Sequence, residues 1–133
     1  MKLIINTDGG SRGNPGPGAI GVVIRDESGK IIKTYKKCVG KVTNNQAEYL
    51  ALISGLTLAK ELGGTEVSCR LDSELLVKQM KQEYRVKDPN IGSLFIKAWN
   101  GAAKFKKVTF THIRRELNKD ADALVNQALD GEC

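Results

Sequence analysis

Four carboxylates lie where predicted elements begin or end, so that folding can bring them together. Asp8 and Asp72 each follow an apolar, strand-like run. Glu48 and Asp122 lie in the first turns of two predicted helices. Carboxylates in one site repel each other unless cations neutralise them, and Mg²⁺ suits such a cluster because it prefers oxygen ligands. Two such ions about 4 Å apart can activate a water and stabilise the leaving oxygen of a phosphodiester.

Two of these carboxylates have a structural alternative. Glu48 follows Asn45 by three residues, so it can be a capping-box glutamate that reaches back to the helix cap. Asp122 can be a surface carboxylate favoured near a helix N-terminus. Asp120 is two positions from Asp122 and should face a different side of that helix. On the residues alone these alternatives stay open.

Residues 16–21, Gly-Pro-Gly-Ala-Ile-Gly, match the dinucleotide-binding pattern G-x-G-x-x-G. That pattern needs a strand before it and a helix after it. Here the strand-like run Val22-Val23-Ile24 follows. We therefore interpret the match as accidental and expect residues 16–21 to turn the chain into its second strand.

The hydrophobic pattern and the turn residues predict the element order βββαβααβα. The first three strands should form an antiparallel meander, and a helical crossover should add the last two in parallel. The prediction is an α/β fold with a five-stranded mixed sheet flanked by helices. Asp8 and Asp72 would then emerge at one sheet edge, where open α/β sheets place their sites. The predicted strands are 2–8, 19–25, 30–39, 65–71 and 108–113, and the helices are 43–62, 73–80, 89–104 and 119–129.

Length and composition bound the class of protein. The 133 residues, of which 41% are hydrophobic and 27% charged, suit one globular domain over 1–133. No apolar run approaches the roughly 20 residues that span a bilayer, so we expect no membrane partner. The first residues meet a charge too early for a signal peptide. We expect a cytoplasmic monomer.

The net charge of +6 is concentrated in one segment. Residues 78–107 contain eight basic and two acidic residues. Such a segment indicates a polyanionic partner such as nucleic acid, and the alternative is a solvated helical face.

The three cysteines form no C-x-x-C pair, which argues against a zinc site. Cys38 and Cys69 lie in strand-like runs, so we expect both to be small core residues. A disulfide to Cys133 is the less favoured alternative because the chain shows no secretion signal.

Four motifs resemble those of the ribonuclease H type 1 family, in the same order and with similar spacing. They are Thr-Asp-Gly-Gly-Ser-x-Gly-Asn-Pro-Gly-Pro from residue 7, Thr-Asn-Asn-x-Ala-Glu from residue 43, Asp-Ser-x-Leu-Leu-Val from residue 72, which has one residue more than the family's Asp-Ser-x-Leu-Val, and Arg-Glu-x-Asn-x-x-Ala-Asp-x-Leu from residue 115. The resemblance covers nearly the whole chain and is strongest to short bacterial and archaeal forms.

The resemblance implies an enzyme that hydrolyses the RNA strand of RNA–DNA hybrids with two Mg²⁺ ions, for which Mn²⁺ can substitute. The products would carry 5′-phosphate and 3′-hydroxyl ends. Asp8 would bridge both ions, with Glu48 and Asp72 on one and Asp122 on the other. The alternatives are a hybrid-binding module of the same fold that does not cleave, and a nuclease that also accepts double-stranded RNA.

The resemblance also implies the residues that bind the hybrid. The loop after the first strand would line the minor groove, where 2′-hydroxyls are exposed. The start of the first helix would contact bases, backbone and a DNA phosphate. Together with the residue two after Asp72, the implied set is Gly9, Gly10, Ser11, Gly13, Asn14, Thr43, Asn44, Asn45 and Glu74.

Three departures from the family pattern affect these expectations. Glu74 replaces a common Gln, so the added negative charge can weaken 2′-hydroxyl recognition. The segment before Asn118 is too short for a histidine loop, and we expect the single histidine, His112, to be structural. Residues 84–89 replace a longer basic protrusion, and we expect Trp99 to lie in the core.

Overall fold

The computed structural model describes residues 1–133, and its elements follow the predicted order βββαβααβα. A single 3₁₀ turn, Arg115–Leu117, precedes the last helix. No helix combines the length and the apolar character that a membrane crossing needs. The strands are β1 (Lys2–Ser11), β2 (Gly16–Arg25), β3 (Ile31–Val42), β4 (Glu66–Leu71) and β5 (Lys107–His112), and the helices are α1 (Asn44–Glu61), α2 (Glu74–Met80), α3 (Pro89–Ala102) and α4 (Lys119–Gly131).

The five strands form one mixed sheet in the order β3-β2-β1-β4-β5. The β1–β2 and β2–β3 pairs are antiparallel, and the β1–β4 and β4–β5 pairs are parallel, which confirms the predicted topology. β1 continues past Asp8 because Gly9 pairs with Ile20 and Ser11 pairs with Gly18. Residues 16–21 are therefore part of β2, and the prediction that they only turn the chain is wrong.

The main core lies between the sheet and α1, α2 and α3. Its buried side chains include Leu3, Ile5 and Val22 from the strands and Leu52 and Leu56 from α1. α4 packs on the opposite face against β2, where Ala19, Val125 and Ala128 form a smaller cluster. Burying these apolar surfaces contributes roughly 25 cal/mol per Å².

The first turn of α1 is closed by a capping box that does not involve Glu48. The Thr43 hydroxyl accepts a hydrogen bond from the Gln46 N–H (3.2 Å), and the Gln46 side chain accepts one from the Thr43 N–H (2.9 Å). The proposed capping role of Glu48 is therefore wrong. Its carboxylate is left available for another role.

The cysteines differ from their predicted arrangement. Cys69 is fully buried, as expected. Cys38 is only partly buried and forms a disulfide with Cys133, which links β3 to the C-terminus. The prediction that Cys38 is a small core residue is wrong, and the less favoured alternative is the arrangement that the chain adopts.

Candidate active site

All four carboxylates line one cavity of about 430 Å³ at an edge of the sheet. Thr7 pairs with Leu71 at the ends of the parallel strands β1 and β4, so Asp8 and Asp72 follow at the same edge. α1 presents Glu48, and α4 presents Asp122 from the other face of the sheet. The remaining lining residues are Gly9, Gly10, Ser11, Arg12, Asn44, Arg115, Val125, Asn126 and Leu129.

Two glycines let the helices approach β1 and β2 closely enough to bring these carboxylates together. A Cβ on Gly9 would collide with the Ala47 carbonyl and lie 2.6 Å from the Glu48 nitrogen. Gly21 is the cross-strand partner of Asp8, and a Cβ on it would collide with the carbonyl of Ala121. Both contacts are with backbone atoms, which cannot rotate away. Glycine is therefore required at both positions by packing rather than by a nucleotide.

The Gly9→Ala variant is expected to lose about 1–3 kcal/mol of stability, because an inserted methyl must displace the backbone of α1. Gly10→Ala is the matched control, since its Cβ would meet nothing closer than Val125 Cγ1 at 3.8 Å. Urea denaturation of both variants measures the difference. Equal midpoints for the two variants would contradict the packing requirement at Gly9.

The electrostatics of Asp8 reflect its position at the centre of the cluster. Burial, together with the negative charges of Asp72, Asp122 and Glu48, raises the pKa of Asp8 to about 8. The Asp8 and Asp122 carboxyl groups are also close enough for a hydrogen bond, which favours the protonated form of Asp8. Buried carboxylates placed this close together are an arrangement that bound cations would neutralise.

Glu48 is perturbed in the same direction. Burial raises its pKa to about 7, the nearby Ser73 hydroxyl opposes the increase, and the charge of Asp72 adds to it. Ser73 also caps α2 by accepting a hydrogen bond from the Leu76 N–H at 3.2 Å. The residue after Asp72 therefore influences the Glu48 carboxylate as well as starting a helix.

The donor set fits a hard divalent cation. The cavity offers carboxylates and neither histidine nor cysteine as candidate metal ligands. No three of these carboxylates lie close enough together to hold an ion without further ligands. An ion between two carboxylates would take its other ligands from water and phosphate, as Mg²⁺ usually does. The Asp122 carboxylate also lies 3.7 Å from the Arg115 guanidinium and accepts a hydrogen bond from Asn126 at 3.4 Å.

The loop after β1 is linked to the start of α1 by hydrogen bonds. The Ser11 N–H donates to Asn44 Oδ1 (3.0 Å), and the Asn44 N–H donates to Asn14 Oδ1 (2.9 Å). The Ser11 hydroxyl donates to the carbonyl of Gly13 at 2.6 Å. These contacts place the residues of both predicted substrate segments side by side at the mouth of the cavity. Asn45 is exposed next to them, while the Thr43 hydroxyl is used in the helix cap.

Glu74 does not line the carboxylate cavity. Its carboxylate forms an ion pair with Lys78 at 2.9 Å, and the pairing lowers the pKa of Glu74. The Lys78 ammonium lies 4.8 Å from the centre of the Tyr84 ring. The negative charge predicted to weaken hybrid binding is thus balanced by the start of the basic segment.

His112 and Trp99 both lie at the surface. His112 is exposed at the end of β5, opposite Leu71, and it does not line the carboxylate cavity. Trp99 is 41% exposed and stacks on Phe95, with ring centres 5.9 Å apart. The prediction that Trp99 belongs to the core is wrong, because its face of α3 borders a surface groove beside β5.

Sequence reasoning missed three residues near the site. Arg12 and Arg115 line the cavity, and Asn118 is a buried amide that hydrogen-bonds to β1. Arg115 and Asn118 belong to the fourth quoted motif, so that motif could have identified both as residues near the site. Asp120 pairs with Arg25 and lies outside the cavity, as expected from its spacing.

The mixed sheet in this strand order is the fold of solved ribonuclease H structures. RNase H1 from the halophilic archaeon Halobacterium salinarum superposes with a TM-score of 0.96 at 38% identity, covering 98% of both chains. LC11-RNase H1, solved in complex with RNA/DNA hybrid, gives a TM-score of 0.92 at 45% identity over 96% of both chains.

The sequence comparisons agree with the structural ones. The model of the reverse transcriptase-like family matches residues 6–128. The bifunctional protein Rv2228c of Mycobacterium tuberculosis is 40% identical over 98% of this chain. Ribonuclease HI of Halobacterium salinarum is 41% identical over 92% of it. The chain spans 36% of the mycobacterial relative and 62% of the archaeal one. The chain belongs to the reverse transcriptase-like family and is a ribonuclease H of type 1.

Proposed function

We propose that this chain is an endoribonuclease that hydrolyses the RNA strand of RNA–DNA hybrids, and that residues 1–133 act as one catalytic domain. The observation that carries the proposal is the shared cavity of Asp8, Glu48, Asp72 and Asp122, in which burial and mutual repulsion raise the pKa of Asp8 to about 8. The relative that was solved with RNA/DNA hybrid supports the choice of substrate.

Within this proposal, the four carboxylates would hold two Mg²⁺ ions, or Mn²⁺ in their place, with water and phosphate completing the ligands of each ion. Asp8 would contribute to both ions, Glu48 and Asp72 to one of them, and Asp122 to the other. Such ions would supply an activated water and stabilise the leaving oxygen, so that the products would carry 5′-phosphate and 3′-hydroxyl ends. The carboxylates themselves supply negative charge and fix the positions of the ligand oxygens.

Recognition of the RNA strand falls to the loop after β1 and to the start of α1. Ser11, Gly13 and Asn14 lie beside Asn44 and Asn45, within reach of a minor groove that displays 2′-hydroxyls. The eight basic residues within 78–107 provide a charged surface for the phosphate backbone. Salt should therefore weaken hybrid binding more than it affects the chemical step.

The test is cleavage of a labelled RNA–DNA hybrid in Mg²⁺ and in Mn²⁺. Asp8→Asn is expected to lower the rate by at least about 10³-fold, because the shared ligand loses its charge. Asp26→Asn is the matched control, since Asp26 lies in the β2–β3 turn and should leave the rate unchanged. A wild-type protein that binds hybrid and cleaves it with neither metal would refute the proposal and favour a binding module.

Double-stranded RNA is the second candidate substrate. The observation in its favour is Glu74, a carboxylate paired with Lys78 at the position where a side-chain amide could contact a 2′-hydroxyl and so distinguish RNA from DNA. Competition between labelled hybrid and unlabelled double-stranded RNA or DNA measures the preference. We expect the hybrid to be cleaved fastest.

That the protein is a cytoplasmic monomer stays a prediction.

A further inference from the structure

A buried polar network connects the strand that carries Asp8 to the helix that carries Asp122. Its centre is Asn118, which is only 1% exposed and precedes α4. The Asn118 side-chain NH₂ donates to the Thr7 carbonyl at 2.9 Å, and its oxygen accepts from the Asn6 NH₂ at 3.1 Å. Asn118 thus uses its side chain on the sheet instead of capping its own helix.

The same residue fixes the backbone of the helix that presents Asp122. The Asp122 N–H donates to the Asn118 carbonyl at 3.0 Å, in the first turn of α4. Thr7, on the other side, is the residue that precedes Asp8. One buried side chain therefore connects the backbone next to one carboxylate to the first turn that carries the other. Its position sets how far α4 lies from β1 at the cavity.

Contacts of Asn6 with Arg25, and of Arg25 with Asp120, hold the Asn118 side chain in one orientation. Arg25 donates to Asn6 Oδ1 at 3.2 Å and pairs with Asp120 Oδ2 at 2.5 Å. Because Arg25 only donates, it fixes which end of the Asn6 amide is the acceptor, and Asn6 in turn fixes the orientation of Asn118. Asp120 closes the ring by returning to α4 within one turn of Asn118.

We propose that Asn118, supported by Asn6 and Arg25, is a positioning residue that sets the separation of Asp8 and Asp122 for binding divalent ions. The proposal rests on the function proposed above and adds residues outside the carboxylate set. The side chains next to metal ligands orient those ligands, and losing them typically weakens metal affinity or activity by about 10–100-fold. Asn118 does so through the backbone of both elements.

The test is Asn118→Ala, studied at a temperature at which circular dichroism shows the variant folded. The dissociation constant for Mn²⁺, measured by titration calorimetry, is expected to rise about tenfold, and kcat to fall by about 10–100-fold. KM for the hybrid should stay within about twofold, because the loop after β1 and the start of α1 keep their contacts.

Gln79→Ala is the matched control. Gln79 is also a buried amide, and it accepts a hydrogen bond from the Tyr49 hydroxyl at 2.7 Å, but it lies outside the carboxylate cavity. Its loss should lower Tm and leave Mn²⁺ affinity and kcat unchanged. A purely structural role for Asn118 would give that same pattern.

Asp120→Ala is the second variant, for the case in which Asn118→Ala does not fold. Asp120 is exposed, so the variant loses only the ion pair with Arg25, and kcat should fall about threefold without a change in KM. Wild-type Mn²⁺ affinity and kcat in every folded variant of the network would overturn the positioning role. A wild-type protein that binds Mn²⁺ without cleaving hybrid would refute only the proposed function, because the Mn²⁺ titrations still test Asn118.

Discussion

In metal-free buffer at pH 7, Asp8→Asn is expected to be more stable than the wild-type protein by on the order of 2–4 kcal/mol. At pH 7 the unfolded chain carries Asp8 ionised, and folding has to protonate this carboxylate against the solvent, a cost that the substitution removes. Burial and the charges of Asp72, Asp122 and Glu48 raise the pKa of Asp8 to about 8. The isosteric amide keeps the packing and lacks the charge, so the residue that is needed for activity is also one that costs stability.

The pH dependence of this difference follows from the direction of the shift. An unperturbed aspartate has a pKa of 3.8, whereas Asp8 in the folded chain has a pKa of about 8. The folded state therefore binds a proton that the unfolded state releases between these values, and wild-type stability falls as pH rises through that window. The advantage of Asp8→Asn should be near zero at pH 4 and largest near pH 8. Denaturant titrations of both proteins across this range, in EDTA, measure it.

Divalent ions should reverse the order of stability. Mg²⁺ bound by the folded state stabilises the wild-type protein in proportion to the logarithm of its concentration, and Asp8→Asn should gain much less. Glu27→Gln, which removes an exposed carboxylate from the β2–β3 turn, is the control for a change in net charge. If Asp8→Asn is no more stable than the wild type at pH 8 in EDTA, the four carboxylates do not repel one another as their shared cavity implies.

The sheet and the four carboxylates could be predicted because each depends on local sequence patterns joined by a topological rule. Apolar runs marked β1 and β4, and a helical crossover makes such strands parallel neighbours. Parallel strands end at the same edge, so Asp8 and Asp72 had to emerge together. The observed ends of the elements differ from the predicted ones by one to three residues. The largest differences in β1 and β2 arise because hydrogen bonds of the sheet extend both strands through glycines that carry no strand pattern.

Of the features that sequence reasoning missed, the helix cap depends on a local choice between partners, while the disulfide and the burial of Asn118 depend on contacts between distant parts of the chain. Thr43 and Asn45 are both good cap residues, and only the folded helix distinguishes Gln46 from Glu48 as the capping partner. Cys38 and Cys133 are 95 residues apart. Asn118 belongs to the fourth motif, but its burial follows only from the packing of α4 on β1 and β2.

Cys133→Ser is expected to lower the stability of the oxidised protein by about 2–4 kcal/mol. The Cys38–Cys133 disulfide closes a loop across 95 residues, which contains all four helices, β4, β5 and the end of β3. Restricting the unfolded chain over a loop of that length contributes about 4–5 kcal/mol in the chain-entropy model, and measured effects are usually smaller. Urea denaturation of wild type and variant, with and without dithiothreitol, gives the difference.

Reduction should remove the difference between the two proteins, because both then lack the same cross-link. Cys38→Ser should match Cys133→Ser under oxidising conditions, while Cys69 cannot replace either partner, since burial raises the pKa of its thiol to about 12. The disulfide holds the C-terminal end of α4, together with the ion pair of Lys36 and Glu132 at 3.3 Å. Asp122 lies at the opposite end of that helix, so reduction should lower Tm with little change in kcat. A large fall in kcat on reduction, below the Tm of the reduced protein, would instead show that the C-terminal link controls the position of the whole helix.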